Sequence, residues 1–549
     1  MNAADPYRFM KDGKIDIAAV FAEHRDRPAV IHLSGHCGSG RGFQSCYTYG
    51  DVFYILQALD SALCRQGVSA GSRLALYADN RPLHYFLFFL AWIRGDLFVP
   101  LDFQSPVDRV LSSVWDGFGT ASGTQAGTDA STDQESFALI IGKKDVRSDK
   151  NAHAVSSEFA DQDKVSGRNV RTKRIPKSIV DADDLLRAVH ETREKDGLSP
   201  EPLRPAFHPV DMNRECSLLY TSGSTGRPLG VIHSVGNHAY SAAGVISFLG
   251  LEPGSRWLVS LPLNHVGGLS IFTRMFLSGG AVVFPESRRA VESALQGCTA
   301  DCVSVVPTQL IRFMASDQTI KALASMRSVL LGGAAPPAWA IMRALDLCIP
   351  IVPSYGSTES CSLITAVAPG SPRDAYKTGG KVLPHRQLST DAAGRIRLSG
   401  ETRFCVYLEG NRRIRPFEDG WFTTSDLGVE DEYGNWHIHG RADEVFISGG
   451  ENINPFEIEQ SISSIGGIDS AVVVPAPHKA FGFVPWAFVA GPAVPDPETI
   501  AAQLRKLLPA YKVPKQILFM EPGEAAKGIK VDRAYFKKKA ADMAGDGCH

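Results

Sequence analysis

From Tyr49 onward, apolar residues recur at helical spacing in ILQALDSALCRQG (55–67) and then give way to short continuous apolar runs, RLALYA (73–78) and LFVPLD (97–102). That alternation predicts strand and helix units feeding a parallel sheet, and so an α/β architecture. The longest apolar run, Tyr85 to Ile93, is about half of the roughly 20 residues needed to cross a bilayer and predicts a buried helix. FALIIG (137–142) predicts a further buried strand between two polar stretches, Gly117 to Gln134 and Ser148 to Lys177, which are expected as surface loops. The region 117–213 is therefore expected to be an elaborated excursion, not a domain of its own.

After Arg214 the rhythm resumes. SLLYTSGSTG, RWLVSLPL, GAVVF, CVSVVP, RSVLLGG and IPIVPSYG are short apolar runs, most ending in Gly, Pro or Ser. In open α/β sheets ligands bind outside the carboxyl ends of the strands, so these polar, glycine-rich ends are where chemistry belongs. From about Arg441, strand-like AVVVPA and AFVAG sit among helical stretches before a basic tail, long enough for a small second domain.

Length and composition narrow the classes. A chain of 549 residues exceeds what one core usually supports, so at least two domains are expected. With 57 basic and 59 acidic residues the net charge is −2, which gives no general reason to expect nucleic acid or a membrane surface as partner. The ten cysteines are scattered without zinc-like spacing and are expected to be reduced and mostly buried. The N-terminal residues MNAADPYRFMKDGK hold no apolar stretch suited to a signal-peptide core, and a cytoplasmic location is expected. An oligomer is compatible with the sequence.

Three strand ends carry candidate chemistry. Thr221-Ser222-Gly223-Ser224-Thr225-Gly226-Arg227-Pro228 follows the apolar run SLLY. Glycines let backbone N–H groups approach an anion, and the hydroxyls add donors without bulk, so the loop suits phosphate. It is not the P-loop arrangement, and a flexible Gly/Ser turn is the plain alternative. Tyr355-Gly356-Ser357-Thr358-Glu359 places an aromatic face, suited to a base, and a carboxylate, suited to magnesium, at another strand end. Trp421-Phe422-Thr423-Thr424-Ser425-Asp426-Leu427-Gly428 presents one carboxylate after an aromatic strand, suited to a ribose diol.

In this order and spacing, and with Gly440-Arg441-Ala442-Asp443-Glu444 to Pro455 and Lys530-Val531-Asp532-Arg533, the motifs resemble the adenylate-forming superfamily of acyl-CoA synthetases, luciferases and peptide-synthetase adenylation domains. The resemblance covers Tyr49 to about Lys538. It implies a large N-terminal domain of stacked αβ subdomains over 1–440, and a small mobile α+β domain over 441–549 that carries the catalytic lysine. It also implies an enzyme that uses ATP, Mg2+ and coenzyme A. Thr221, Ser222, Gly223, Ser224, Thr225 and Gly226 would grip the β- and γ-phosphates, Tyr355 would face adenine, and Thr358 would contact the α-phosphate. Glu359 would ligate magnesium, Asp426 the ribose hydroxyls, and Arg441 would help hold the nucleotide. Asp443 matches the hinge, Gly449 and Gly450 flank the pantetheine path, and Lys530 matches the adenylation lysine. A cation there also makes sense without the family, since it offsets the repulsion between a carboxylate and a triphosphate as the α-phosphorus is attacked. Two positions depart from the pattern: Leu229 stands where the loop normally has lysine, and Ile529 where glycine usually precedes the catalytic lysine.

Within the superfamily, Leu261-Pro262-Leu263-Asn264-His265-Val266-Gly267-Gly268, Val305 to Leu310, Leu331 to Ala335 and Ile447 to Ile453 look most like the o-succinylbenzoate-CoA ligases of menaquinone synthesis. A dicarboxylate needs a cation for the carboxylate that does not react, because burying it unpaired costs roughly several kcal/mol. Arg274, in the otherwise apolar SIFTRMF after His265, is the candidate, able to make a bidentate contact. His265 would wall the carboxylate site, and Ser357 and Thr308 would line the same pocket. A CoA ligase for another aryl or fatty acid, or a nucleotide-binding protein without catalysis, are the alternatives.

Overall fold

The helix expected around ILQALDSALCRQG runs Tyr49–Arg65 and starts at a capping box: Asp51 N donates to Thr48 Oγ1 (3.1 Å) and Thr48 N to Asp51 Oδ2 (2.9 Å). The apolar run at Tyr85 lies in helix Pro82–Arg94, opened by proline, closed by left-handed Gly95, and buried nearly all round. The computed structural model describes residues 5–33, 43–103, 137–141, 178–182, 185, 207–221, 229–297, 300–521, 524 and 532–546. They fall into two compact units, Met1–Ala294 with Phe404–Pro416, and Leu295–Arg403 with Phe417–His549.

In the first unit an eight-stranded sheet runs in the order Arg412–Ile414, Val406–Glu409, Leu229–Ser234, Glu215–Thr221, Leu97–Pro100, Arg73–Tyr77, Phe137–Ile141, Ser178–Asp181. Its last five strands are parallel, as the α/β pattern predicts, whereas Leu229–Ser234 returns antiparallel along Glu215–Thr221. Phe137–Ile141 of the FALIIG run is thus a strand. The polar stretches Gly117 to Gln134 and Ser148 to Lys177 lie outside the described residues. A second group pairs Arg256–Leu258, Ala281–Phe284 and Pro28–Leu33 in parallel, with Phe43–Thr48 antiparallel beyond them. Helices Tyr49–Arg65, Pro82–Arg94, Val235–Leu249 and Val266–Ser278 enclose an aromatic core including Phe86, Phe88, Phe89, Trp92, Phe272 and Phe276. The Tyr49 hydroxyl, fully buried, donates towards the carbonyls of Met275 (2.8 Å) and Gly280 (2.9 Å), which satisfies it inside that core.

In the second unit, Cys302–Val305, Ser328–Leu331 and Ile351–Ser357 are parallel, and Ser362–Ala366 folds back antiparallel on the last. A meander of Gln387–Thr390, Arg395–Ser399 and Trp421–Glu430 follows, with Trp436–Arg441 pairing onto Trp421–Glu430. After Arg441 come the hairpin Phe446–Ser448/Glu451–Ile453 and the long pair Ser470–His478/Gly482–Ala490, with Gln516–Phe519 parallel at its side. Helices Pro455–Ser463 and Pro497–Leu507 share with this sheet a core of Ile458, Ile462, Val473, Val489 and Leu504. Helix Arg533–Asp546 covers the other face through Phe536 and Ala540, against Val474 and Phe488. Residues on alternate positions of one strand thus face two different cores.

Two sequence expectations need correction. Asp426 does not follow a strand; it lies inside Trp421–Glu430, at a register shift between Asp426 and Gly428 against Trp436–Arg441. All described cysteines are free, yet Cys46, Cys64 and Cys348 are exposed while Cys216, Cys302 and Cys361 are buried, so the thiols are not mostly buried. Among the described residues, no helix is long and apolar enough to cross a membrane.

Candidate active site

Thr221 ends its strand and pairs in register with Leu229, and its Oγ1 donates to the Leu229 carbonyl (3.2 Å). The strands on either side of the Gly/Ser-rich motif are therefore an antiparallel pair, tied together at the two residues that flank it. Leu229, where the family pattern has lysine, is the first residue of the returning strand. Ser222, Gly223, Ser224, Thr225 and Gly226, together with Arg227, Ile529 and Lys530, lie outside the described residues.

In the second unit four of the expected residues form one hydrogen-bonded chain. Tyr355, in strand Ile351–Ser357, donates its hydroxyl to Asp426 Oδ2 at 2.6 Å. The other Asp426 oxygen faces Arg441 Nη1 at 3.5 Å, and the guanidinium in turn grips Asp443 through Nε (2.9 Å) and Nη2 (2.8 Å). Burial, then the neighbouring Asp426 carboxylate, holds the Tyr355 hydroxyl well above its ordinary value, so it remains a donor. Burial pushes Asp443 up, but the Arg441 hydrogen bonds outweigh it and the carboxyl sits below the usual range. The two Asp443 bonds likewise raise Arg441. The Arg441–Asp443 pair is thus held in its charged form, while Tyr355 keeps its proton.

Thr358 and Glu359 occupy the partly buried turn between Ile351–Ser357 and Ser362–Ala366, and the Ser357 amide is tied to Ser360 Oγ at 3.0 Å. Thr308 is exposed in the first turn of helix Pro307–Phe313. Gly449 and Gly450 form the two-residue turn of their hairpin with φ of 58° and 93°. Two consecutive positive φ values match the type I′ turn, which favours glycine at both places. Three positions beyond Lys530, Arg533 is anchored to Glu459 (2.5 Å), Glu444 (3.2 Å) and the Val473 carbonyl (2.8 Å).

In the first unit, His265 is exposed at the N-cap of helix Val266–Ser278, and Arg274 lies on the same helix, completely buried, with its guanidinium 5.1 Å from the centre of the Trp257 ring. That is cation–π distance. Arg274 therefore does not reach out from a helix edge to solvent. Sequence reasoning missed Trp257 and also Asn80, whose carboxamide holds the backbone just before His265; the only available signal was a polar residue at a strand end.

Comparison with known proteins bears on this constellation. Residues 17–394 match the family described as AMP-binding enzyme, and residues 457–524 match the AMP-binding enzyme C-terminal domain. The 2-succinylbenzoate–CoA ligase of Listeria monocytogenes is 33% identical over 336 residues, covering 60% of this chain and 71% of the relative. The ligase of the same name from Bacillus licheniformis is 32% identical over 324 residues, covering 57% of this chain and 67% of the relative. In fold, the chain is similar to the o-succinylbenzoate CoA synthetase of Bacillus subtilis in complex with its acyl-adenylate intermediate, with a TM-score of 0.72 at 22% identity, covering 95% of this chain and 97% of the other. The first family match alone spans well over half of the chain, and its ends enclose the strand-end residues Thr221, Tyr355 and Glu359: this protein belongs to the AMP-binding enzyme family.

Proposed function

We propose that this protein is a 2-succinylbenzoate–CoA ligase that acts in menaquinone synthesis, in the cytoplasm, on small molecules and not on nucleic acid. The observation that carries the reading is the likeness to ligases of that name, at 33% identity over 336 residues. In the first half-reaction a carboxylate oxygen of the acid attacks the α-phosphorus of ATP and pyrophosphate leaves. In the second, the sulfur of coenzyme A attacks the acyl carbon and AMP leaves.

Residues take roles that suit their geometry. The glycine and hydroxyl residues that follow Thr221 in the sequence grip the β- and γ-phosphates, Tyr355 faces adenine, Thr358 contacts the α-phosphate, and Asp426 accepts from the ribose diol with the lone pairs that Tyr355 leaves open. Arg441 and Asp443 are both substantially accessible to solvent, so their ion pair is worth about 1 kcal/mol or less. A contact that weak is readily exchanged, which suits a hinge at Asp443 between 1–440 and a small domain at 441–549. Among the described residues, no group of three or more His, Cys, Asp or Glu is placed to hold a metal. Magnesium bound through one carboxylate and substrate phosphates needs no such cage; Glu359 would be that carboxylate, and the ion would supply charge neutralisation for pyrophosphate as a leaving group. For the acid, a guanidinium buried on an apolar helix, with His265 at the N-cap of that same helix, is suited to a second carboxylate.

Pyrophosphate release dependent on ATP and CoA, measured with 2-succinylbenzoate beside benzoate, a medium-chain fatty acid and an amino acid, tests the reading. Selective turnover of 2-succinylbenzoate with its CoA thioester seen by mass spectrometry is expected. Turnover of another acid keeps the chemistry and discards the menaquinone assignment. Silence with every acid, with ATP still bound, favours a binder without catalysis, for which Leu229 and Ile529 are the motive.

Two substitutions refine the assignment. Tyr355→Phe keeps the ring but removes a hydrogen bond to a charged acceptor, so KM for ATP is expected to rise about 10- to 100-fold with little change in KM for the acid. An unchanged KM for ATP removes the hydroxyl from nucleotide binding. Gly449→Ala forces a Cβ to 2.7 Å from Phe481 Cδ1 at a left-handed position. Thiolysis of preformed acyl-adenylate is expected to slow about tenfold or more while adenylation is retained, as quenched-flow measurement of each half-reaction can establish. Equal slowing of both steps argues for a general loss of fold.

A further inference from the structure

We propose that Asn80 is a positioning residue for the acid, one whose carboxamide sets the segment from which His265 and Arg274 are presented. Asn80 sits between strand Arg73–Tyr77 and helix Pro82–Arg94, both deep in the core of the first unit. Its Nδ2 donates to the Leu261 carbonyl at 2.8 Å, and its Oδ1 accepts from the Leu263 amide at 3.1 Å. The side chain thus behaves as one residue of a neighbouring strand, with both polar functions used on a stretch whose middle residue, Pro262, has no N–H to offer. Asparagine is the shortest side chain that carries a donor and an acceptor in that fork.

What the fork holds is the entry to helix Val266–Ser278. The Pro262 carbonyl accepts from the His265 amide (3.3 Å), Leu263 is completely buried, and a Cβ on residue 268 would lie 2.3 Å from the Pro262 oxygen. Gly268 therefore lets the helix close directly onto the turn. Strand Arg256–Leu258, which carries Trp257, leads through this segment into the helix that carries Arg274. Fixing Leu261 and Leu263 fixes where the helix starts, and with it the exposed His265 and the angle at which Arg274 meets Trp257.

The proposal rests on the reading that His265 and Arg274 serve the acid, and the test separates the two. Steady-state KM for acid and for ATP is measured for the wild-type protein, Asn80→Ala and Asn80→Asp between about pH 5.5 and 8.5, with circular dichroism to establish that each is folded. Asn80→Ala is expected to raise KM for the acid about tenfold with KM for ATP within about twofold of wild type. Asn80→Asp keeps the acceptor for Leu263 but sets a carboxylate against the Leu261 carbonyl; once protonated it donates again. The ratio of its KM for the acid to that of the wild type at the same pH is therefore expected to fall as pH falls, whereas the same ratio for Asn80→Ala stays level. A merely structural role would move both KM values together, and that result, or an aspartate variant that follows alanine at every pH, overturns the proposal. If the wild type itself turns over no acid, the functional reading fails first. If Asn80→Ala does not fold, the pH trend of the aspartate variant decides alone.

Discussion

Replacing Lys530 with alanine is expected to lower acid-dependent ATP–pyrophosphate exchange about 10³-fold, while thiolysis of supplied acyl-adenylate stays within about threefold of wild type. The asymmetry follows from charge. In adenylation a carboxylate approaches a triphosphate, and as the α-phosphorus is attacked the negative charge of both reactants is concentrated in one place; a fixed ammonium group is worth most at that moment. In thiolysis the acid is already neutralised as a mixed anhydride and the leaving group is AMP, so the same cation has less to offset. The chain leaves this region at a fixed point, because Arg533 is tied to Glu459 and Glu444 three positions later. Lys530→Arg retains charge but not the compact ammonium, and is expected to recover only part of the exchange. Equal loss of both half-reactions after Lys530→Ala contradicts the assigned role.

Local signals carried much of the fold. The helical spacing at 55–67 and the apolar runs at 73–78 and 97–102 became a helix and two parallel strands of one sheet because short-range pattern and burial agree there. The candidate residues stood out as glycine, hydroxyl and carboxylate groups close to apolar runs, the kind of position where open α/β sheets bind ligands. Their mutual arrangement did not. The Tyr355–Asp426 bond joins residues 71 positions apart, and its formation depends on Asp426 lying inside a strand at a register shift, which periodicity does not encode. Asn80 was invisible for a similar reason: Asp79-Asn80-Arg81-Pro82 reads as an ordinary turn, and only folding brings its carboxamide to a backbone 181 positions away. Exposed cysteines escaped prediction because a small thiol is tolerated in either environment.

Arg274→Met is expected to reduce kcat/KM for 2-succinylbenzoate about 10²- to 10³-fold, while turnover of benzoate, which lacks the second carboxylate, stays unchanged or improves. Arg274 is completely buried on a largely apolar helix, and its guanidinium lies over Trp257. A planar cation held by a ring face presents its N–H fork in a fixed plane, so a carboxylate can be met by two parallel bonds. Lysine offers neither the plane nor the fork, and Arg274→Lys is expected to remain at least about tenfold impaired. Thermal melting tells a lost ligand contact from a lost scaffold: methionine fills the space of the arginine stem beside Trp257, so Tm for Arg274→Met should stay within a few degrees of wild type. A fall in Tm together with equal losses for every acid would make Arg274 a structural residue and leave the second carboxylate of the acid to be recognised elsewhere. Selectivity lost with Tm retained ties the choice of acid to this one buried cation, and predicts that the double variant Asn80→Ala/Arg274→Met is little worse with 2-succinylbenzoate than Arg274→Met alone, since a positioning residue has no further effect once the group it positions is gone.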